Sequence, residues 1–218
     1  MSIKENIIQF KKSIPASVTL VAVSKTKPIS ALQEAYDCGQ RVFGENKIQE
    51  MSEKWEQLPK DIQWHMIGHV QTNKVKYMIP YVSLIHSADR LKLFKEINKQ
   101  ASGVDRIVDV LLQVKIAQED SKYGMPIPEA TELLKGSQLD AYPNVRVVGL
   151  MGMASFTDDM NQVDAEFKTL ESLFIRFRES KNLTILSMGM SGDYELAIEN
   201  GSTMIRIGSA IFGERNYN

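Results

Sequence analysis

The sequence predicts an α/β fold, a single (β/α)8 TIM barrel over residues 1–218 with an extra N-terminal helix. Three observations carry this. Short apolar runs rich in Val, Ile, Leu and Met alternate with longer segments of helical period. Those runs show little strict alternation of apolar and polar residues, as expected of parallel strands buried on both faces. There are eight of them, the number that closes such a barrel. A doubly wound open sheet shares the alternation. No GxGxxG follows the first strand, however, which weakens a dinucleotide-binding reading.

Taken in order, the first strand is expected at Thr19–Ser24. Pro28 and Ser30 open the helix after it, and Gly39 closes it. Strands at Arg41–Gly44, Gln63–Ile67 and Leu84–His86 follow. Ser87 or Asp89 is placed to cap the next helix, whose stripe of Leu91, Phe94, Ile97 and Ala101 runs to Gly103. A strand at Ile107–Val114 precedes a helix behind Pro126 and Pro128. Another at Val145–Met151 precedes the clearest helix, Asn161–Ser180. There Val163, Phe167, Leu170, Phe174 and Phe177 make one apolar stripe, leaving Asp164, Glu166, Lys168, Glu171 and Arg178 for water. Strands at Thr184–Met188 and Thr203–Ile207 flank a last helix, Asp193–Glu199, ended by Gly201.

Composition removes several function classes. Lys and Arg total 26 against 27 for Asp and Glu, so no global positive field favours nucleic acid. Cys38 stands alone, so no intramolecular disulfide and no cysteine-rich zinc site is possible, which suits a reducing compartment. The N-terminal MSIKENIIQFKKS does not read as a secretory signal, and no apolar run approaches membrane-helix length. A cytosolic location is expected, with no nucleic-acid or membrane partner. No Gly/Ser-rich or Pro-rich tract reads as a linker.

In a barrel, chemistry belongs where strands end and loops begin. Lys25 directly follows the first strand and shares parity with Val21 and Val23. It is either a solvated strand-end lysine or an amine able to form a Schiff base with a carbonyl. The segment Ser187–Asp193 (SMGMSGD) ends the seventh strand, where Gly189 and Gly192 allow close backbone approach. Ser191 is placed at a helix start, where backbone N–H groups are free for an anion, with Asp193 a mild objection. Arg206 lies between Ile205 and Ile207 in the eighth strand, so a buried charge there needs a partner. Gly208 and Ser209 follow it and could donate to a phosphate, in the loops where barrels often bind one. Asn46 and His65 sit near the ends of strands two and three as groups lining the mouth. His65 and His69 are four apart, but Gly68 and the strand context argue against a helical metal pair, and no metal is expected. His86 reads as structural, and Cys38 as buried filler.

Together these motifs resemble one family. Ala22–Pro28 (AVSKTKP), Phe43–Asn46 (FGEN), Trp64–Gly68 (WHMIG), Gln71–Lys74 (QTNK), Ser121–Gly124 (SKYG), Gly149–Met151 (GLM), Leu186–Ser191 (LSMGMS) and Gly201–Gly213 (GSTMIRIGSAIFG) are similar, in this order, to the YggS/PROSC family of pyridoxal phosphate homeostasis proteins. Val70 departs from it, standing where Leu is usual. The resemblance implies a barrel of the fold-type III kind, like the N-terminal domain of alanine racemase. It implies pyridoxal 5′-phosphate (PLP) as cofactor, joined to Lys25 as a Schiff base. Arg206 then faces the pyridine nitrogen, Ser191, Gly208 and Ser209 grip the phosphate, and Asn46 and Met190 lie beside the ring. Lys122 matches a family lysine near the site. A monomer is implied, with apo PLP-dependent enzymes as possible recipients.

Chemistry then separates a carrier from an enzyme. An arginine at the pyridine nitrogen disfavours its protonation, and an unprotonated ring is a poorer electron sink. Racemases of similar design add a tyrosine base from a second domain, for which a chain ending at Asn218 is expected to lack room. Tyr123 and Tyr194 are the tyrosines considered as substitutes, each a poor base near its ordinary pKa. The expectation is a PLP binder with no catalytic residue. A racemase-like enzyme and a cofactor-free Schiff-base aldolase remain as alternatives.

Overall fold

A computed structural model describes residues 2–119 and 122–214. Ser121 of the SKYG motif and the chain end at Asn218 lie outside the described residues. Among the described residues nine strands occur: β1 Thr19–Val23, β2 Val42–Glu45, β3 Gln63–Met66, β4 Val82–Ala88, β5 Val108–Lys115, β6 Met125–Pro126, β7 Val145–Met151, β8 Ile185–Ser187 and β9 Met204–Ile207. Neighbours pair in the order β4-β3-β2-β1-β9-β8-β7-β5, and a further β4–β5 pairing closes the ring. Every pairing is parallel. The two-residue β6 adds to the end of β5 beside the ring. The result is an eight-stranded closed barrel, which leaves no long sheet edge exposed.

Helices α1 Ile3–Ser13, α2 Ile29–Asp37, α3 Ile48–Gln57, α4 Leu91–Ser102, α5 Ile127–Lys135, α6 Met160–Arg178, α7 Tyr194–Glu199 and α8 Ser209–Phe212 surround it. Between β3 and β4 the crossover is a 3-10 helix, Thr72–Tyr77. Ser2 and Glu5 close a capping box on α1, and basic Lys11 and Lys12 sit in its last turn, as the helix dipole prefers. Asn6 of α1 donates to the Ile211 carbonyl of α8, binding the extra helix to the end of the barrel. The α6 stripe is buried from Val163 to Phe177, and Asp159 accepts from the Asn161 and Gln162 N–H groups to start the helix. Removing one such ring, as in Phe167→Ala, costs about 3–5 kcal/mol by transfer and cavity terms together.

Four local expectations are corrected. Neither Ser87 nor Asp89 caps α4: Arg90 takes the cap position, Asp89 pairs with Arg90 and His69, and Ser87 donates to the Gly68 carbonyl. Glu166 is not in water but buried, because it accepts from the Ser155 and Gln118 N–H groups and anchors the loop after β7. The last helix begins at Tyr194, three residues beyond Ser191, since Asp193 turns its carboxylate back to the Met190 N–H. Cys38 is half-buried at the rim of the core rather than enclosed in it.

Strand parity divides the core in two. Val21, Leu84, Leu111, Met151 and Met204 form a small apolar cluster, one face of each strand turned inward. Alternate residues such as Leu20, Phe43, Trp64, Val110, Leu150 and Ile205 face the helices in a much larger shell. Both faces are therefore apolar low in the barrel, which is why the strands lack alternation.

Candidate functional site

The inward face changes character toward the C-terminal ends of the strands. Two residues beyond Val21 comes Val23, and two beyond that Lys25. The same step takes Met151 to Met153, Leu111 to Gln113, and Met204 to Arg206 and Gly208. All of these later residues line one cavity of about 850 Å³ at the barrel mouth. Pleat periodicity thus selects which strand-end residues enter the site.

Seven of the eight expected site residues line this cavity: Lys25, Asn46, Met190, Ser191, Arg206, Gly208 and Ser209. Ser191 and Ser209 approach one another, their hydroxyls 3.5 Å apart. Ser209 opens α8, where the Ile211 and Phe212 N–H groups bond the Gly208 carbonyl and those of Ser209 and Ala210 have no intrahelical partner. Gly189 adopts φ +96°, and a Cβ there would lie 2.6 Å from Ala197, so only glycine lets this turn pass α7. A Cβ on Gly68 would lie 2.4 Å from the Asn46 carbonyl oxygen, so glycine is also what lets the β3 exit touch Asn46.

His65 is not in the lining. It sits beneath the floor, buried, with its Nδ1 3.0 Å from Nε2 of His86. His86 Nδ1 is 3.2 Å from the Ser187 hydroxyl, which accepts a 2.7 Å hydrogen bond from Arg206. Arg206 also donates to the Gly152 carbonyl at 3.0 Å. Burial pushes the His65 imidazole down to about 3, and drives His86 well below its ordinary value with His65 and Arg206 adding to the effect. Burial likewise lowers the Arg206 guanidinium to about 10, against the pull of Asp193. An arginine at that value remains charged at neutral pH.

The Lys25 turn is held from behind. Ser24 donates to Glu45 at 2.6 Å. Lys54, buried, donates to Glu45, Glu50 and the Ser24 carbonyl. Glu50 accepts from the N–H of Thr26, a non-glycine residue at φ +65°. Lys27 donates to the carbonyls of Phe212, Gly213 and Glu214, tying this turn to the end of α8. Across the mouth, Tyr123 stacks on His69, and Phe156 is 96% exposed. Lys122 lines the cavity and pairs with Glu119. Tyr194 donates to Glu195 and packs on Phe10, away from the cavity lining.

Reasoning from sequence missed Gln113, Ser187 as an arginine partner, and the Glu45–Lys54 support. Parity would have found Gln113, which shares the inward face of Leu111. Nothing in the sequence marked the other two. Among the described residues no group of three His, Cys, Asp or Glu converges as a metal site. No helix of the described residues is long and apolar enough to cross a membrane.

The chain matches the family model of the alanine racemase N-terminal domain over residues 1–216. It is 42% identical over 201 residues to the pyridoxal phosphate homeostasis protein of Aquifex aeolicus, covering 91% of this chain and 87% of that one. Its fold is similar to PipY of Synechococcus elongatus without PLP, at a TM-score of 0.91 and 34% identity, covering 97% of this chain and 100% of PipY. Against PipY with PLP bound the TM-score is 0.88 at 33% identity, with the same coverage.

Proposed function

The chain belongs to the pyridoxal phosphate homeostasis family, and from that premise we propose that it binds PLP in the barrel-mouth cavity and serves as an intracellular carrier of it without evident catalysis. One observation carries the reading. A single cavity gathers an amine at the rim (Lys25), a buried guanidinium at the floor (Arg206) and a wall of small donors (Ser191, Gly208, Ser209). An aldehyde, a basic ring nitrogen and a phosphate are the three groups that this set would receive.

The residues fit the cofactor by their own chemistry. Lys25 supplies the amine that condenses with the aldehyde as a Schiff base, releasing water. Ser191, Ser209 and the N–H groups of Ser209 and Ala210 at the start of α8 would hold the phosphate. Asn46 and Met190, which line the same cavity, would border the ring. Lys27 keeps the phosphate wall and the Lys25 turn in one piece through its three carbonyl contacts. Bound PLP supplies an electron-withdrawing ring, which in enzymes stabilises carbanions. Arg206 works against that use, because it only donates hydrogen bonds and so pairs with a nitrogen lacking a proton. This favours storage and delivery, with apo PLP-dependent enzymes as recipients, over a racemase-like reaction.

The test is an absorbance spectrum of the purified protein before and after borohydride, followed by peptide mapping. A visible band that borohydride removes, with the label on Lys25, is expected. The same reducible adduct in Lys25→Ala would overturn the assignment. Deuterium exchange at Cα of added amino acids at enzyme-like rates would overturn the carrier role.

A further inference from the structure

Four buried polar side chains cross the barrel under the cavity floor: His65 from β3, His86 from β4, Ser187 from β8 and Arg206 from β9. Their hydrogen bonds have only one consistent direction. Arg206 has donors and no acceptor, so Ser187 Oγ accepts from it. Among the described residues the Ser187 hydroxyl hydrogen has one acceptor within reach, Nδ1 of His86. Donation the other way would leave that hydrogen buried and unpaired, which is costly. With Nδ1 accepting, a neutral His86 carries its proton on Nε2 and donates to Nδ1 of His65. His65 then also carries its proton on Nε2. Protonating either ring would place a second positive charge in a buried interior near Arg206, where Asp193 is the counter-charge among the described residues.

We propose that His65, His86 and Ser187 form a neutral, one-way hydrogen-bond chain that positions Arg206, with His86 as the positioning residue that sets its direction. The chain and the Gly152 carbonyl each take one Arg206 hydrogen bond and leave its other N–H groups for the cavity. Arg206 therefore presents donors only to the cavity, beside Gln113 and Asp193 in the lining. It selects ligands that bring an unprotonated acceptor, such as a neutral pyridine nitrogen, and disfavours ligands that bring an N–H or O–H there. This selectivity rests on reading the cavity as the PLP site, whereas the direction of the chain does not.

Two measurements separate the parts. Nitrogen-15 NMR of the ring nitrogens in the full-length protein without PLP tests the chain alone. Both His65 and His86, assigned with single His→Asn variants, should show the neutral Nε2–H form from pH 5 to pH 8. A proton on Nδ1 of either ring, or titration in that range, would overturn the chain. Titration with PLP tests the positioning role. His86→Leu should bind PLP about tenfold more weakly, with a shifted absorbance maximum, and His86→Asn, which keeps an acceptor near Ser187, should recover most of both. Unchanged affinity and spectrum in His86→Leu would sink the positioning role. Failure of the unaltered protein to bind PLP would sink the functional reading and leave the NMR result standing.

Discussion

The Lys54 cluster and the Arg206 cluster, both buried in this barrel, are built on opposite principles. Behind β1 and β2, Lys54 sits against Glu45 and Glu50, so charge meets opposite charge. Inside the barrel, Arg206 sits against Ser187 and a backbone carbonyl, with two uncharged imidazoles beyond. The first cluster consumes its charge internally and holds the Lys25 turn in place. The second leaves the arginine's charge to act on whatever enters the cavity. Their hydrogen bonding differs too: among the described residues Glu45 Oε2 is buried without a partner, whereas the Ser187 hydroxyl both meets Arg206 and reaches His86. A buried ion pair can be rigid yet electrically closed, while a cation held by neutral dipoles is rigid and still open.

The contrast can be broken most forcefully at Lys54. Lys54→Met leaves two carboxylates facing each other and should cost about 3–5 kcal/mol in urea unfolding. A loss below about 1 kcal/mol would mean that the ion pair does not hold the turn.

Acid should divide the clusters next. His65 is held down to about 3, so the folded protein keeps it neutral while the unfolded chain takes up a proton below about 6.5. Its contribution is therefore complete above pH 6.5 and shrinks as pH falls, by about 2 kcal/mol at pH 5. Burial pushes the Glu45 carboxyl the other way, upward against the pull of Lys54. Its term is thus present at low pH and lost as pH rises through its folded value. Thermal melts against the unaltered protein, of His65→Gln from pH 5 to pH 7.5 and of Glu45→Gln upward from pH 4.5, should give differences of opposite slope. Parallel slopes would erase the distinction.

Smaller effects sharpen it. Ser187→Ala strips His86 Nδ1 of its donor and Arg206 of an acceptor, and should cost about 1–2 kcal/mol by chemical denaturation. Thr26 is a β-branched residue at φ +65°. Thr26→Asn should raise stability by a few tenths to about 1 kcal/mol, because asparagine tolerates the left-handed region better. A fall in melting temperature would show that the Thr26 side chain contributes more than its backbone strain costs.

Most of the barrel is legible in the residue pattern, because the long apolar runs leave little choice. Val145–Met151 appears at its expected bounds, and the α6 stripe from Val163 to Phe177 is buried as its spacing requires. The misplaced details are short polar residues with several possible partners. Asp89 could cap α4 or pair with Arg90, and Glu166 could face water or a loop. Local sequence does not rank such options, since their energies differ by about 1 kcal/mol and the partner is remote along the chain. The candidate site is legible as a set of strand-end residues. Its depth is not: His65 and Asn46 each lie near a strand end, yet one is under the floor and the other lines the cavity.

By itself the sequence determined the alternation of strands and helices, the apolar faces and the family, all of which follow from residue type and short-range periodicity. Only the tertiary structure decided which parity of each strand faces inward. It also brought Lys25, Ser191, Arg206 and Ser209 to one cavity and joined His65 to Arg206 through two intermediates from other strands. The reason is physical. Closing the ring converts separations of more than a hundred residues into hydrogen-bond distances, as between His86 and Ser187, and no local rule contains that closure.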